Sequence, residues 1–138
     1  MAESFIHKHR VTYSDCTVGN HIYYGRYLDL LEAARGELFR HAGITFISLQ
    51  EQDFIFPVIE CRLRYKAPAR YDDVLLIETW LTEAQKVRLN FAYRITTEAG
   101  RLILEAETQH VCTGTEEKLK RMPDDLVMRL QPFLKAAG

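Results

Sequence analysis

The sequence predicts an α+β domain in which one long helix packs against an antiparallel sheet of about five strands. Apolar side chains recur at helical spacing in only one long stretch, residues 24–42. Four segments after that stretch are rich in apolar residues, two of them alternate clearly with polar ones, and short turns separate them. Consecutive strands joined by short turns pair antiparallel, so the sheet can bury its apolar face against the helix.

Composition limits the classes of protein that need to be considered. A length of 138 residues suits one domain, residues 1–138, and 47% hydrophobic residues predict a folded core. The net charge of −1 gives no reason to expect nucleic acid or a charged membrane as a partner. The sequence contains no membrane-spanning apolar run, and its first ten residues lack a signal-peptide core. Three widely spaced cysteines match neither a disulfide framework nor a metal site, so we expect a cytoplasmic protein.

The first predicted elements are a strand and the long helix. Residues 5–13 alternate imperfectly and predict a strand. Gly43 can take the left-handed conformation that ends a helix, while residues 44–56 show no clear pattern. The predicted buried stripe of the helix consists of Tyr24, Tyr27, Leu28, Leu31, Ala34, Leu38 and Ala42.

Four more strands and a short helix follow. Pro57 opens the second strand, residues 74–81 form the third, residues 86–96 the fourth and residues 101–113 the fifth. The fourth alternates most regularly and is the clearest strand. Pro123 can begin a short final helix. The apolar face of the second strand is predicted to hold Ile59, Cys61, Leu63 and Tyr65, and the opposite face of the sheet to carry Arg62, Arg64, Lys86, Arg88 and Arg94. Such a sheet has two edges, and pairing with a second subunit is a common way to cover one.

Polar side chains gather just ahead of the long helix. They are Asp15, Cys16, Thr17, Asn20 and His21, with Gly19 to bend the backbone. The N-terminus of a helix exposes unpaired N–H groups and a partial positive charge, so it can polarise a carbonyl oxygen. Taken alone, the stretch is more typical of a helix cap formed by Thr17 or Asn20.

Several motifs resemble those of the hotdog-fold thioesterases. Residues 15–27 read D-C-T-V-G-N-H-I-Y-Y-G-R-Y, E-A-A-R lies on the helix, residues 70–80 read R-Y-D-D-V-L-L-I-E-T-W and residues 119–126 read L-K-R-M-P-D-D-L. The chain is most similar to the 4-hydroxybenzoyl-CoA thioesterase family and its short-chain acyl-CoA relatives, over nearly its whole length. The resemblance implies a sheet wrapped around a central helix, a dimer with a continuous sheet, often a tetramer, and active sites at the dimer interface. It also implies hydrolysis of acyl-CoA to a free acid and CoA without a metal or cofactor.

The resemblance assigns the carbonyl-polarising group but leaves the attacking group open. It places the backbone N–H of Tyr24 at the position of the oxyanion donor. Seven residues earlier, where the benzoyl-CoA type has its catalytic aspartate, this chain has Thr17. A threonine cannot act as a carboxylate nucleophile, and its hydroxyl is too weakly basic to serve alone.

Three alternatives can supply the missing chemistry. Asp15 can take over, or it can be a capping carboxylate. His21 can act as a general base near neutral pH, with Thr17 and Asn20 positioning the water. The third alternative is that the chain resembles a polyketide-pathway branch of hotdog thioesterases, which has a neutral residue at the Thr17 position. In that branch an arginine on the central helix assists the reaction, and it corresponds to Arg35. Arg35 could equally form a surface pair with a neighbouring acid on its helix.

The resemblance also indicates where the substrate binds. Residues that correspond to its CoA-phosphate contacts are Lys86, Arg88, Lys118, Lys120 and Arg121. The acyl pocket can be lined by Tyr23, Tyr24, Phe54 and Phe56, although core or interface packing is the default for aromatic residues. We therefore predict an acyl-CoA thioesterase. The alternatives are a thioesterase acting on an acyl carrier protein and a non-catalytic protein that binds acyl thioesters.

Overall fold

A five-stranded antiparallel sheet packs on one long helix in the computed structural model, which describes residues 4–135. The outer residues of the predicted single domain, 1–3 and 136–138, lie outside the described part. The strands are β1 (Phe5–Arg10), β2 (Cys16–Thr17), β3 (His21–Ile22), β4 (Val58–Tyr65), β5 (Val74–Gln85), β6 (Arg88–Thr97) and β7 (Leu102–Val111). The helices are α1 (Arg26–His41), α2 (Phe46–Glu51) and α3 (Asp124–Leu130).

The strand order explains which parts of the sheet are covered. It runs β1-β5-β6-β7-β4, every neighbouring pair is antiparallel, and β2 and β3 form a separate hairpin. β1 and β4 are therefore the two edges. The predicted α+β class and the five-stranded sheet with one long helix are confirmed. No helix in the described range is long and apolar enough to cross a membrane.

The buried face of α1 is partly the predicted one. Tyr24 and Leu28 were expected in the core, but they are 64% and 47% exposed. The helix begins at Arg26, so Tyr24 precedes it, and the buried face is centred further round the helix, where it includes Leu30 and Phe39. The buried residues are Tyr27, Leu30, Leu31, Ala34, Leu38 and Phe39, and Ala42 packs against them while half-buried.

Local chemistry accounts for most element boundaries. Gly43 has a φ of +90° just after α1, as predicted for the residue that ends the helix. The stretch without a clear pattern contains α2, whose first turn is capped where the Thr45 hydroxyl accepts a hydrogen bond from the Ser48 N–H at 3.2 Å. β1 is shorter than predicted because the chain turns into a 3-10 turn at Tyr13–Asp15. α3 begins directly after Pro123, as predicted.

Strand β4 departs from the prediction in its exposure. Ile59 and Tyr65 are 52% and 50% exposed, Cys61 is also exposed, and only Leu63 of the predicted apolar face packs against the core. These side chains lie on an edge strand, where a single chain offers little to cover them.

The charged face of the sheet is held by cross-strand pairs. The Arg64 guanidinium lies 2.6 Å from the Glu107 carboxylate, and Arg94 lies 3.4 Å from Glu105. Lys86 was expected on this face but lies in the turn between β5 and β6, with a φ of +56°. The turn lies later in the chain than expected because β5 continues to Gln85 instead of ending at residue 81.

Candidate active site

A tight hairpin brings two predicted site residues together ahead of α1. Gly19 and Asn20 both have positive φ, which lets β2 turn directly into β3 and places Thr17 opposite His21. The Asn20 side-chain oxygen accepts a hydrogen bond from the Tyr71 N–H at 3.2 Å. Asn20 therefore ties the hairpin to the loop before β5, and its amide oxygen is already in use.

Four predicted residues line one hollow of about 400 Å³, which we call the Tyr24 hollow. Thr17, His21, Tyr23 and Tyr24 form one side of it. The Tyr65 hydroxyl donates a hydrogen bond to the Tyr24 carbonyl at 3.1 Å and so fixes the opposite wall to the start of α1. The remaining lining residues are Ile22, Tyr27, Lys66, Ala67 and Pro68.

The backbone at Tyr24 has an unused donor. Tyr23 donates to the Asp15 carbonyl at 3.0 Å and Arg26 to the Tyr23 carbonyl at 2.9 Å, whereas the N–H of Gly25, like that of Tyr24, donates no hydrogen bond among the described residues. Within residues 4–135 the Tyr24 N–H makes no hydrogen bond. Tyr24 lines the hollow and precedes the positive end of α1, so its N–H is a candidate donor to a carbonyl oxygen.

Asp15 lies close by but is fully engaged. Its carboxylate accepts hydrogen bonds from the His9 ring at 2.8 Å and from the Thr12 N–H at 2.9 Å, and it pairs with Arg26 at 3.2 Å. Burial alone would raise the pKa of Asp15, but the hydrogen bonds from Thr12 and His9 outweigh it and lower the pKa. A carboxylate with a lowered pKa is a weak base.

The geometry also separates Asp15 from the Tyr24 hollow. Asp15 is 6% exposed and borders a second hollow of about 440 Å³, which Thr17, Tyr23 and Arg26 also line. The prediction did not include His9 as a partner. The alternation of the first strand does not reveal a pair formed six residues away through a turn.

Arg35 lies apart from both hollows. Its Nη1 donates a hydrogen bond to the Tyr93 hydroxyl at 3.0 Å. No carboxylate in the described residues pairs with it, so the alternative of a surface pair with an acid on its own helix is not what the structure shows. It lines a third cavity of about 250 Å³, the Arg35 cavity, together with Phe46, Phe54, Phe56, Leu89, Phe91, His110, Ile55, Glu32 and Gln50. Phe56, predicted to bind substrate, therefore lies with Arg35 and away from Tyr23.

Polar residues that the sequence did not indicate lie behind this cavity. Tyr93, Thr108 and His110 are almost completely buried and hydrogen-bonded to one another. Burial lowers the pKa of His110 to about 4, the Phe56 carbonyl partly opposes this, and the charge of Arg35 adds to it. The alternation of residues 86–96 does not single out Tyr93, because its hydroxyl partner Thr108 lies on another strand.

The predicted phosphate-binding residues lie in or next to the β5–β6 turn and on residues 118–121, in a segment that contacts the turn. The Lys86 carbonyl accepts a hydrogen bond from the Met122 N–H at 2.9 Å, which holds residues 118–122 against the turn. The Lys120 ammonium donates to the Asp53 carbonyl at 2.9 Å and lies 4.1 Å from the centre of the Phe54 ring. Lys86, Arg88 and Lys118 are exposed. No group of three His, Cys, Asp or Glu side chains in the described range is arranged to hold a metal.

Comparisons with known proteins place the chain among thioesterases. Residues 11–130 match the family model described as the thioesterase-like superfamily. The acyl-CoA thioester hydrolase YbgC of Escherichia coli O6:H1 is 34% identical over 119 residues, which cover 86% of this chain and 89% of that protein. The putative acyl-CoA thioesterase YneP of Bacillus subtilis is 24% identical over 106 residues, 77% of each chain.

Solved structures share the architecture. The hypothetical protein TT1821 from Thermus thermophilus has a TM-score of 0.88 and 30% identity, covering 95% of this chain and 98% of that one. Slr0204, a 1,4-dihydroxy-2-naphthoyl-CoA thioesterase from Synechocystis, has a TM-score of 0.87 and 23% identity, covering 94% and 96%.

Proposed function

Because the chain belongs to the thioesterase-like superfamily, we propose that it is an acyl-CoA thioesterase that hydrolyses an acyl-CoA to a free acid and coenzyme A. The hotdog fold expected from the sequence is confirmed by the solved structures it resembles. The name of the YbgC relative supports the substrate class. The observation that carries the mechanism is the Tyr24 hollow, which Tyr24, with its unused N–H, lines together with Thr17 and His21.

The Tyr24 N–H polarises the thioester. The carbonyl oxygen of the thioester accepts a hydrogen bond from this N–H and becomes more negative as the carbonyl carbon turns tetrahedral. The N-terminus of α1 adds its partial positive charge at the same place. Because the oxygen carries more charge in the transition state than in the substrate, this donor lowers the barrier more than it strengthens substrate binding.

His21 and Thr17 handle the attacking water. The Thr17 hydroxyl holds the water, and the His21 ring takes one of its protons as the water oxygen bonds to the carbonyl carbon. The carbon–sulfur bond then breaks, and the leaving sulfur receives that proton from His21. Asp15 positions the turn through His9 and Arg26, which already occupy its oxygens.

The exposed side chains of β4 support an oligomer. Ile59, Cys61 and Tyr65 would be covered if two β4 edges paired and extended the sheet through both subunits. We therefore expect at least a dimer, with a tetramer favoured over a dimer, when mass is measured by light scattering at micromolar concentration. A monomer would leave β4 uncovered and would contradict this assembly.

The basic residues around the β5–β6 turn are proposed to bind the phosphates of CoA. Lys86, Arg88 and Lys118 present exposed cations there. Lys120 is held by Asp53 and can form the inner wall of the phosphate site without leaving that contact. Lysine and arginine make charge-assisted hydrogen bonds with phosphate oxygens.

A substrate panel tests the function. Thiol release is measured with aliphatic and aromatic acyl-CoA esters and, in parallel, with the same acyl groups on an acyl carrier protein. We expect turnover of CoA esters. Faster turnover of the carrier-bound esters would make the carrier protein the partner instead. Binding of all these thioesters without thiol release would contradict the hydrolase and leave a protein that only binds acyl thioesters.

A further inference from the structure

The β2–β3 hairpin is too short to hold its position by itself. Each of its strands has two residues, and Thr17 stands opposite His21. Inside the hairpin the Asn20 N–H donates to the Thr17 carbonyl at 3.2 Å. An isolated two-stranded hairpin is at best marginally stable in water. The two side chains proposed to handle the attacking water therefore depend on contacts from outside the hairpin.

The loop between β4 and β5 supplies such contacts through residues 69–71, which we call the holding segment. The Ile22 N–H of the hairpin donates to the Ala69 carbonyl at 2.9 Å. In the opposite direction, the Tyr71 N–H of the holding segment donates to Asn20 Oδ1 at 3.2 Å. The hairpin is therefore joined to the holding segment from both sides, once through its backbone and once through a side chain.

The middle residue of the holding segment adds a charged donor. Arg70 Nη1 donates to the Gly19 carbonyl at 3.4 Å and to the Asn20 carbonyl at 3.3 Å. Gly19 and Asn20 are the two residues with positive φ at the tip of the hairpin. The Arg70 side chain thus binds the part of the hairpin where the backbone reverses direction.

The holding segment is itself fixed to the rest of the fold. Ala69 is completely buried. The Arg70 N–H donates to the Asp73 carboxylate at 2.9 Å, and the Asp73 N–H returns a bond to the Arg70 carbonyl at 3.1 Å. Directly after β1, the Val11 N–H donates to the Asp73 carbonyl at 2.8 Å. The hairpin is therefore attached to a turn that the main sheet already holds in place.

The same loop also forms part of the Tyr24 hollow. Residues 66–68, which come immediately before the holding segment, line this hollow together with Thr17, His21 and Tyr24. Two parts of the wall, the hairpin and residues 66–68, are thus joined through the holding segment. Loss of that connection would let Thr17 and His21 move relative to the rest of the hollow.

We infer that Asn20 and Arg70 are positioning residues, which hold the β2–β3 hairpin on the holding segment and so keep His21 in place for the reaction. The inference rests on the proposed function and adds two residues that act through His21. A displaced general base loses alignment with the reacting atoms, and displacements of about 1 Å can lower a rate by two orders of magnitude. The loss should therefore fall on kcat, with little change in KM.

Two substitutions of Asn20 separate its hydrogen bond from its backbone conformation. Glycine adopts the φ of +58° found at Asn20 without strain, so Asn20→Gly removes only the side-chain acceptor. Aspartate also tolerates this conformation and keeps an oxygen that can accept from Tyr71. With the CoA ester that the parent hydrolyses fastest, Asn20→Gly should lower kcat by about tenfold, and Asn20→Asp should recover most of the loss. Equal losses in both variants, or a change confined to KM, would contradict the inference.

Arg70→Met tests the second contact. It should lower kcat by about fivefold, because the Tyr71 bond to Asn20 remains. Arg10→Met is the matched control, since Arg10 donates to the Asp72 carbonyl of the same loop at 3.0 Å but makes no hydrogen bond to the hairpin among the described residues. Its kcat should stay within about twofold of the parent. A comparable loss in Arg10→Met would trace the effect to the loop in general and overturn the role of Arg70.

A double-mutant cycle shows whether Asn20 acts through His21. In a His21→Ala background the base is already absent, so adding Asn20→Gly should change kcat by less than about twofold. A further tenfold loss in that background would mean that Asn20 acts independently of His21, contrary to the inference.

Amide exchange without substrate separates this inference from the proposed function. NMR follows the Ile22 N–H, whose bond to Ala69 is not removed by any of these substitutions. Its exchange should be about tenfold faster in Asn20→Gly than in the parent and unchanged in Arg10→Met. If the parent releases no thiol from any ester, the proposed function fails, while faster exchange still shows that Asn20 holds the hairpin. Unchanged exchange in Asn20→Gly would overturn the inference even if hydrolysis is observed.

Discussion

Asp15 in the turn ahead of α1 and Arg35 in the wall of the Arg35 cavity differ in how many of their hydrogen-bonding atoms are already occupied. Asp15 accepts from His9, Thr12 and Arg26, so its oxygens are occupied and its pKa is lowered. Among residues 4–135, Arg35 has one hydrogen-bond partner and keeps its other donors unused. Position in a motif therefore says less about chemical availability than the number of partners does. The difference supports a structural role for Asp15 and shows that Arg35 has donors that a ligand can use.

The largest effect is expected at His21. His21→Ala should lower kcat by roughly a hundredfold or more, as expected for loss of a general base. Asp15→Asn should keep kcat within about tenfold and lower the melting temperature instead, because it weakens buried contacts to His9 and Arg26. Steady-state thiol release and thermal unfolding of both variants give these values.

Asp29→Asn is the matched control for the charge change. Asp29 also pairs with Arg26, at 3.0 Å, but is exposed, so its loss should alter neither measurement greatly. A hundredfold loss of kcat in Asp15→Asn, together with an unchanged kcat in His21→Ala, would reverse the roles of the two residues.

Burial of the His110 ring should make the free energy of unfolding depend on pH. His110 has an ordinary pKa of 6.5 and a folded value of about 4, so the unfolded state binds more protons between these values. The free energy of unfolding should therefore fall as the pH drops from 6.5 to 4, by about 3 kcal/mol at about 1.4 kcal/mol per pKa unit. Urea unfolding at several pH values measures it.

Comparison of variants isolates this contribution from other titrating groups. His110→Gln should lose most of the slope, while His7→Gln on β1 should retain it because His110 is still present. If the free energy of unfolding of His110→Gln depends on pH as steeply as that of the parent, burial does not keep the His110 ring neutral.

A smaller effect is expected where the phosphates of CoA are proposed to bind. Replacing Lys86 and Arg88 together with Ala should raise KM by about tenfold with little change in kcat, because these contacts hold the ground and transition states alike. Lys8→Ala, a surface cation on β1, is the control. An unchanged KM, or a loss confined to kcat, would return both residues to ordinary surface charges.

Much of the fold could be predicted because its signals are local. The alternation of β6 and the glycine after α1 depend on neighbouring residues and were correctly interpreted. The exposure of Ile59 and Tyr65 was not predictable in the same way. Alternation shows which side chains share a face, but an edge strand can direct that face to a partner rather than to its own core.

The site was less predictable because it depends on strand register and turn geometry. Thr17, His21 and Tyr24 of the motif before α1 line one hollow in the fold, while their predicted catalytic roles stay predictions. The link from Tyr93 to Thr108 and His110 needs the pairing of β6 with β7, since Phe91 rather than Tyr93 is the partner of Thr108. No spacing along the chain carries that information. The hydrogen bond from His9 to Asp15 likewise depends on the 3-10 turn between them.

Thiol release by the parent and by Thr17→Asp under single-turnover conditions tests the central claim most directly. The proposed mechanism predicts that the parent hydrolyses an aromatic or short acyl-CoA. The resemblance to the benzoyl-CoA type further predicts that Thr17→Asp does so faster, since it restores a carboxylate seven residues before Tyr24 and beside the positive end of α1. If the parent binds the ester without releasing thiol and only Thr17→Asp releases it, the threonine marks a lost activity. The chain would then be a binding protein, contrary to the proposed function.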